Sequence, residues 1–110
     1  MEIRTKLWIE SDGEPVFGRG RVMLLRAIDT HGSINSASRD INISYRKAWG
    51  YIKAMEDRLG IPLVIRQAGG KNGGGASLTP EARSLIAKYV ELEGQLREMA
   101  DRRFGDIFSQ

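Results

Sequence analysis

The chain has no cysteine among its 110 residues, so disulfides, thiolate metal sites and thiol chemistry are excluded. A single histidine, His31, excludes multi-histidine metal centres. No apolar run approaches the ~18 residues that a membrane span requires. The opening residues, Met1 to Ser11, alternate in character and carry charges of both signs, which is no signal peptide. A cytoplasmic protein without metal or cofactor is the expectation. No nucleophile stands with a base in the pattern, and no carboxylate pair stands out from the surface charges, so an enzyme reading has nothing to rest on.

What is present is an ordinary globular balance, 41% hydrophobic and 28% charged, at a length that suits one domain over residues 1–110. The net charge of +3 is unevenly laid out. Residues 1–18 carry two cations and four anions, residues 19–75 ten cations and four anions, and residues 76–110 five cations and six anions. A basic centre between acidic ends suits a polyanion partner, and a solvated charged face is the alternative.

The period of two over residues 3–10 predicts a half-buried strand, with Ile3, Thr5, Leu7 and Ile9 on its inner side and turn residues from Ser11 to Pro15 ending it. Gly20 to Thr30 reads as a helix stopped by Gly32. Ser33 caps a second helix, Asn42-Ile43 connects, and Ser44 caps a third that runs to Leu59 and stops at Gly60-Ile61-Pro62. A hairpin over about residues 62–79 follows, with five glycines between 69 and 75 at its tip. Pro80 opens a long helix reaching to about Phe104. Three helices, a hairpin and a long helix make a mostly α chain with a small β component. That is the arrangement of a winged helix-turn-helix, with the long C-terminal helix available for dimerisation.

At 100° per residue, Ala48, Ile52, Met55 and Leu59 share the core face of the third helix, with Tyr45 beside them. Arg46, Gly50, Lys53 and Asp57 lie opposite, with Lys47 on the flank. A DNA-reading helix inserts its N-terminal residues into the major groove, and the cations are there. Asn35 and Ser36 stand at the start of the second helix, where backbone N–H groups suit a phosphate, capping being the simpler reading. Ser44 stands at the start of the reading helix. Arg66 at the wing's base, with Lys71 and Asn72 at its tip, would meet the DNA backbone or minor groove. Lys71 makes no Walker A loop, because Asn72 follows it and no helix begins until Pro80. Trp49 reads as a packing residue and His31 as a solvated or capping one.

In the last helix, Ala82, Leu85, Tyr89, Leu92, Leu96 and Met99 step by three and four, a heptad seam. Ile86 and Val90 widen it in the first half only. The first half is expected on the chain's own core and the second half against a second copy, so Leu85, Tyr89, Leu92, Leu96 and Met99 are the candidate homodimer contacts. The alternative is a helix lying wholly on its own core.

The stretches HGSINSAS (31–38), ISYRKAW (43–49), LVIR (63–66), GGKNGGGA (69–76) and LTP (78–80) resemble the DNA-binding domain of the ModE family of molybdate-responsive transcription regulators, and more distantly the LysR-type winged helix. The resemblance covers about Leu7 to Phe104. It implies a homodimeric transcription regulator that binds double-stranded DNA with its third helix in the major groove. In that family a separate β-rich module binds molybdate. The 110 residues leave no room for one, so molybdate binding is not expected of this chain, whether it stands alone or is a fragment. The runner-up reading is a helical dimeric protein-interaction module that does not bind DNA.

Overall fold

The computed structural model describes residues 1–67 and 75–109. Two strands, β1 (Trp8–Ser11) and β2 (Glu14–Gly18), precede three helices, α1 (Arg19–His31), α2 (Ile34–Asp40) and α3 (Tyr45–Leu59). Strands β3 (Val64–Gln67) and β4 (Gly75–Leu78) follow, and α4 (Pro80–Phe108) ends the chain. Each strand pair is a separate antiparallel two-stranded sheet.

The helix boundaries follow from local chemistry. Ser33 Oγ accepts from the Ser36 N–H at 3.2 Å and Ser44 Oγ from the Lys47 N–H at 3.0 Å, so each serine satisfies one donor that its helix leaves open. Gly32 and Gly60 end α1 and α3 at φ of 67° and 70°, a left-handed conformation that costs glycine nothing. Thr79 caps α4, with Pro80 in its first turn. The helix continues past Phe104, where the sequence pattern ended it, to Phe108.

The N-terminal strand departs from expectation. Ile3 and Thr5 lie outside any strand, and Ile3 and Ile9 are exposed, so the alternation over residues 3–10 does not mark a buried face. The inward side chains are Val16 and Phe17 on β2, a strand whose first two residues, Glu14 and Pro15, the sequence pattern places in a turn. Asp12 and Gly13 both take positive φ, 52° and 80°, which is the two-residue hairpin turn that an Asp-Gly pair favours. Ser11 pairs with Glu14 and Trp8 with Gly18, and the register shifts between Ile9 and Glu10.

The core gathers Val16 and Phe17, the inner face of α1 (Val22, Leu24, Leu25, Ala27, Ile28), Ile34 and Ala37 of α2, Ala48, Ile52 and Met55 of α3, and Leu63. Leu78, Ala82 and Tyr89 close it from the C-terminal side. Tyr45, predicted beside the core arc of α3, is instead 43% exposed at the helix's first residue.

Tyr89 is 3% exposed and its ring meets Phe17 edge to face at 5.8 Å. Its hydroxyl donates to Leu7 O at 2.8 Å and lies 3.3 Å from Glu93 Oε2. It therefore belongs to the chain's own core and not to a surface offered to a partner, which corrects its assignment as a dimer contact. A seam counted in heptads cannot distinguish the two.

Burial, and then the neighbouring Glu93 carboxylate, raise the Tyr89 phenol above its usual value of 10.0. The folded chain thus holds this proton at a pH where the unfolded chain has released it, and stability falls as pH rises above about 10. Tyr89→Phe should flatten that alkaline loss in melts recorded from neutral pH to pH 11, with Tyr45 and Tyr51 common to both proteins.

Candidate nucleic-acid interface

Helix α3 presents its outer face between two supported flanks. Arg46, Gly50, Lys53 and Asp57 are all exposed on it, while Ala48, Ile52 and Met55 on the opposite side are fully buried. The connection Ile41 to Ser44 holds α3 against α2. Ile43 N–H donates to Ser38 O at 2.9 Å, and Asn42 takes a positive φ of 62°. Positive φ suits asparagine better than most side chains, because its short amide tolerates the left-handed region.

One flank of α3 is joined to the wing. Glu56 accepts from the N–H groups of Leu63 and Val64 at 2.8 and 3.3 Å, so its carboxylate anchors the start of β3 to the helix. Arg66 stacks its guanidinium over the Trp49 ring, 4.8 Å from the centroid, and Trp49 meets Tyr45 edge to face at 6.5 Å. Trp49 is half-buried, a packing residue that also carries a cation. The far strand is fixed independently, as Ala76 N–H donates to Gly32 O at 2.8 Å. A Cβ at Gly75 would stand 3.4 Å from the same carbonyl, so glycine lets the strand pass closely there.

The other flank is joined to α1 and the N-terminal hairpin. Arg21 of α1 lies over the Tyr51 ring at 5.1 Å, and Lys47 Nζ lies 5.8 Å from the same ring. Arg21 donates to Pro15 O at 3.0 Å. Arg58 donates to that same carbonyl and pairs with Glu14 at 3.6 Å.

The residues singled out in the sequence are placed as follows. Arg46, Lys47 and Lys53 lie exposed on one stretch of α3, and Arg66 stands beside its wing flank; none has an ion-pair partner among the described residues. Asn35 is exposed, whereas Ser36 is half-buried and its N–H is taken by the Ser33 cap. Ser44 is exposed, and its oxygen accepts from Lys47 while its hydroxyl proton stays free to donate. Lys71 and Asn72 lie outside the described residues. Sequence reasoning did not single out Arg21 or Tyr51. The aromatic at Tyr51, one turn after Lys47, was the signal available in the sequence, but the arginine that meets it comes from another helix.

On α4, Leu85 is half-buried and packs against the core, Leu92 and Met99 are exposed, and Leu96 is half-buried. Ile107 and Phe108 near its end are exposed as well. The molecule measures 62 × 29 × 23 Å. Among the described residues no group of three acidic or histidine side chains is placed to hold a metal ion, and no helix is long and apolar enough to cross a membrane.

A family described as "Bacterial regulatory helix-turn-helix protein, lysR family" matches residues 20–83. Among curated proteins, the molybdenum-pterin-binding protein MopB of Rhodobacter capsulatus is 44% identical over 82 residues, 74% of this chain and 30% of that protein. The molybdenum transport protein ModE of Azotobacter vinelandii is 37% identical over 97 residues, 88% of this chain and 36% of that protein. The DNA-binding transcriptional dual regulator ModE of Escherichia coli strain K12 is 41% identical over 80 residues, 73% of this chain and 30% of that protein. This chain therefore spans about a third of the length of these relatives. Among solved structures, the CbnR_DBD-DNA complex matches with a TM-score of 0.62 at 17% identity, over 79% of this chain and 94% of that one. Full-length LysG of Corynebacterium glutamicum matches with a TM-score of 0.58 at 23% identity, over 79% of this chain and 29% of that one. These likenesses establish the winged helix-turn-helix fold.

Replacing Glu56 with Ala leaves two N–H groups at the wing's base without their acceptor. It should lower the stability of the fold by about 1.5–3 kcal/mol in denaturant unfolding, the usual worth of hydrogen bonds to a charged group. Amide exchange at Leu63 and Val64 should accelerate, while that at Ile28 in the core should change only with global stability.

Proposed function

This chain belongs to the lysR family of bacterial regulatory helix-turn-helix proteins, and from that premise we propose that it is a sequence-specific DNA-binding transcription regulator of ModE type. The observation that carries the reading is the outer face of α3. Arg46 and Lys47 stand in its first turn and Lys53 at its middle, exposed and without ion-pair partners among the described residues, on a helix braced along both flanks.

The residue roles follow from position. Arg46, on the first turn of α3, reads base edges in the major groove, where a guanidinium can bind guanine through two hydrogen bonds. Lys47 and Lys53 take phosphates. The Ser44 hydroxyl donates at the same end, and Asn35 and Ser36 fix the register of α2 on the backbone. Arg66 serves the wing's base, with Lys71 and Asn72 assigned to its tip from the sequence alone. The functional unit is a homodimer joined through α4, with Leu92, Leu96 and Met99 as contacts and Leu85 at the inner edge. A two-fold dimer presents its two reading helices symmetrically, so the operator is an inverted repeat with half-sites about one helical turn or a whole multiple apart. The cytoplasm, where the DNA is, is the proposed location. The molybdenum in the relatives' names belongs to proteins about two and a half times as long, and no molybdate site is proposed on these residues.

Mobility shift on a specific and a random duplex over a range of salt tests the reading. Arg46→Ala should cost about 1–3 kcal/mol on the specific duplex only and relax base preference. Lys53→Ala should weaken both duplexes alike and flatten the salt slope by about one. A protein that shifts no duplex at low salt is the interaction module of the alternative reading.

The dimer is tested by sedimentation. Each leucine buried in such a seam is worth about 1.5–3 kcal/mol, so the Leu92→Asp/Leu96→Asp double variant should sediment as a monomer where the parent is a dimer. It should lose affinity for a full operator far more than for a single half-site.

A further inference from the structure

A helix with its side chains is about 10–12 Å across, and the major groove of B-DNA is about 12 Å wide. A helix lying in that groove has a sugar–phosphate strand beside each flank. On α3 the wing flank supplies Arg66, stacked on Trp49. The opposite flank carries Lys47, Tyr51 and Arg58, in contact with the start of α1 and with β2.

The chemistry of that second flank is distinctive. Arg21 and Lys47 come from different helices and sit 5.1 and 5.8 Å from the centre of one tyrosine ring. Arg58 approaches the same Pro15 carbonyl as Arg21. Glu14 pairs with Arg58, and among the described residues no carboxylate pairs with Arg21 or Lys47. The Tyr51 ring attracts both cations through its face without neutralising either. Arg21 is also held in place by its bond to Pro15 O, so it loses little rotamer freedom on meeting an anion. Its remaining N–H donors are in the fork geometry that suits phosphate oxygens.

We infer that Arg21, Lys47 and the Tyr51 ring form a site for one phosphodiester of the DNA backbone, on the strand opposite the one met by the wing. The inference rests on the DNA-binding reading and extends it. It brings α1, which precedes the helix-turn-helix pair, onto the duplex. It also gives the N-terminal hairpin a task, since β2 supplies the carbonyl that orients Arg21. With a phosphate contact on each flank, α3 is restrained from rolling about its own axis in the groove.

The test is a scan in which each phosphate of a bound duplex is replaced in turn by a neutral methylphosphonate. It uses the full chain, its Arg21→Gln, Arg21→Lys and Lys47→Gln variants, and thermal melts to check folding. Glutamine keeps a donor for Pro15 O and removes the charge. Arg21→Gln should lower the salt slope by about 0.9 and leave the ratio of specific to random binding unchanged. One methylphosphonate that weakens the parent should leave Arg21→Gln and Lys47→Gln indifferent, and Arg21→Lys should regain sensitivity to it. If Arg21→Gln folds poorly, Lys47→Gln carries the scan, because Lys47 is exposed. A parent that binds DNA and variants that keep its salt slope and its full pattern of phosphate sensitivity would overturn the site and leave the DNA reading standing. A parent that binds no duplex would overturn the DNA reading itself.

Discussion

Thr79 is the joint on which the arrangement of the molecule depends. It is 4% exposed, and each of its polar groups is engaged. Its hydroxyl donates to Pro62 O at 2.9 Å and accepts from the Ala82 N–H at 3.1 Å, while its own N–H donates to Leu63 O at 3.0 Å. One side chain thus starts α4 and ties that start to the segment entering the wing. A hydroxyl can do both because it donates and accepts at once. Glu56 continues the connection from Leu63 and Val64 back to α3. Helix α3, the wing and α4 are thus fixed to one another through Thr79, Leu63, Val64 and Glu56. Valine at this position would keep the volume but leave the buried Ala82 N–H without its acceptor and Pro62 O without its donor, which is why similarity in shape is a poor guide here.

The same economy governs the charges. The hairpin's Glu14 is spent on Arg58, and Asp29 of α1 on Arg83 of α4 at 2.9 Å. His31 lies 3.2 Å from Asp40, joining the ends of α1 and α2. These pairs are partly exposed and individually worth little to stability. Their effect is on the field. Arg58 and Arg83 are matched by acids, whereas Arg46, Lys47, Lys53 and Arg66 are left unmatched among the described residues, on and beside one helix. A polyanion approaching from that side meets positive charge that no internal partner has neutralised.

The helical part of this fold was legible because its signals are local. Ser33, Ser44 and Pro80 mark starts, Gly32 and Gly60 mark stops, and each acts within one turn of itself. The hairpin before α1 is hidden in the sequence because the alternation from Ile3 to Ile9 mimics a half-buried strand, and because Asp12-Gly13 looks like the end of a strand where it reverses the chain. The exposed face of α3 could be read from periodicity, since helix geometry alone fixes which residues lie opposite Ala48 and Ile52. The stacking of Arg66 on Trp49 and of Arg21 on Tyr51 could not, because each pair is made by packing between separate elements. Tyr89 failed for a related reason. Spacing places it on an apolar stripe, and only the tertiary structure shows that Phe17 and Leu7 already occupy that stripe.

The two strands of the wing are secured at separate places, β3 by Glu56 on α3 and β4 by the Gly32 carbonyl at the end of α1. Neither anchor depends on the length of chain that joins the strands. Closing a longer connection costs only about 0.6 kcal/mol for each doubling, a small sum beside two fixed ends. A change in the number of residues between Gln67 and Gly75 would therefore leave both anchors, and the seat of α3, as they are.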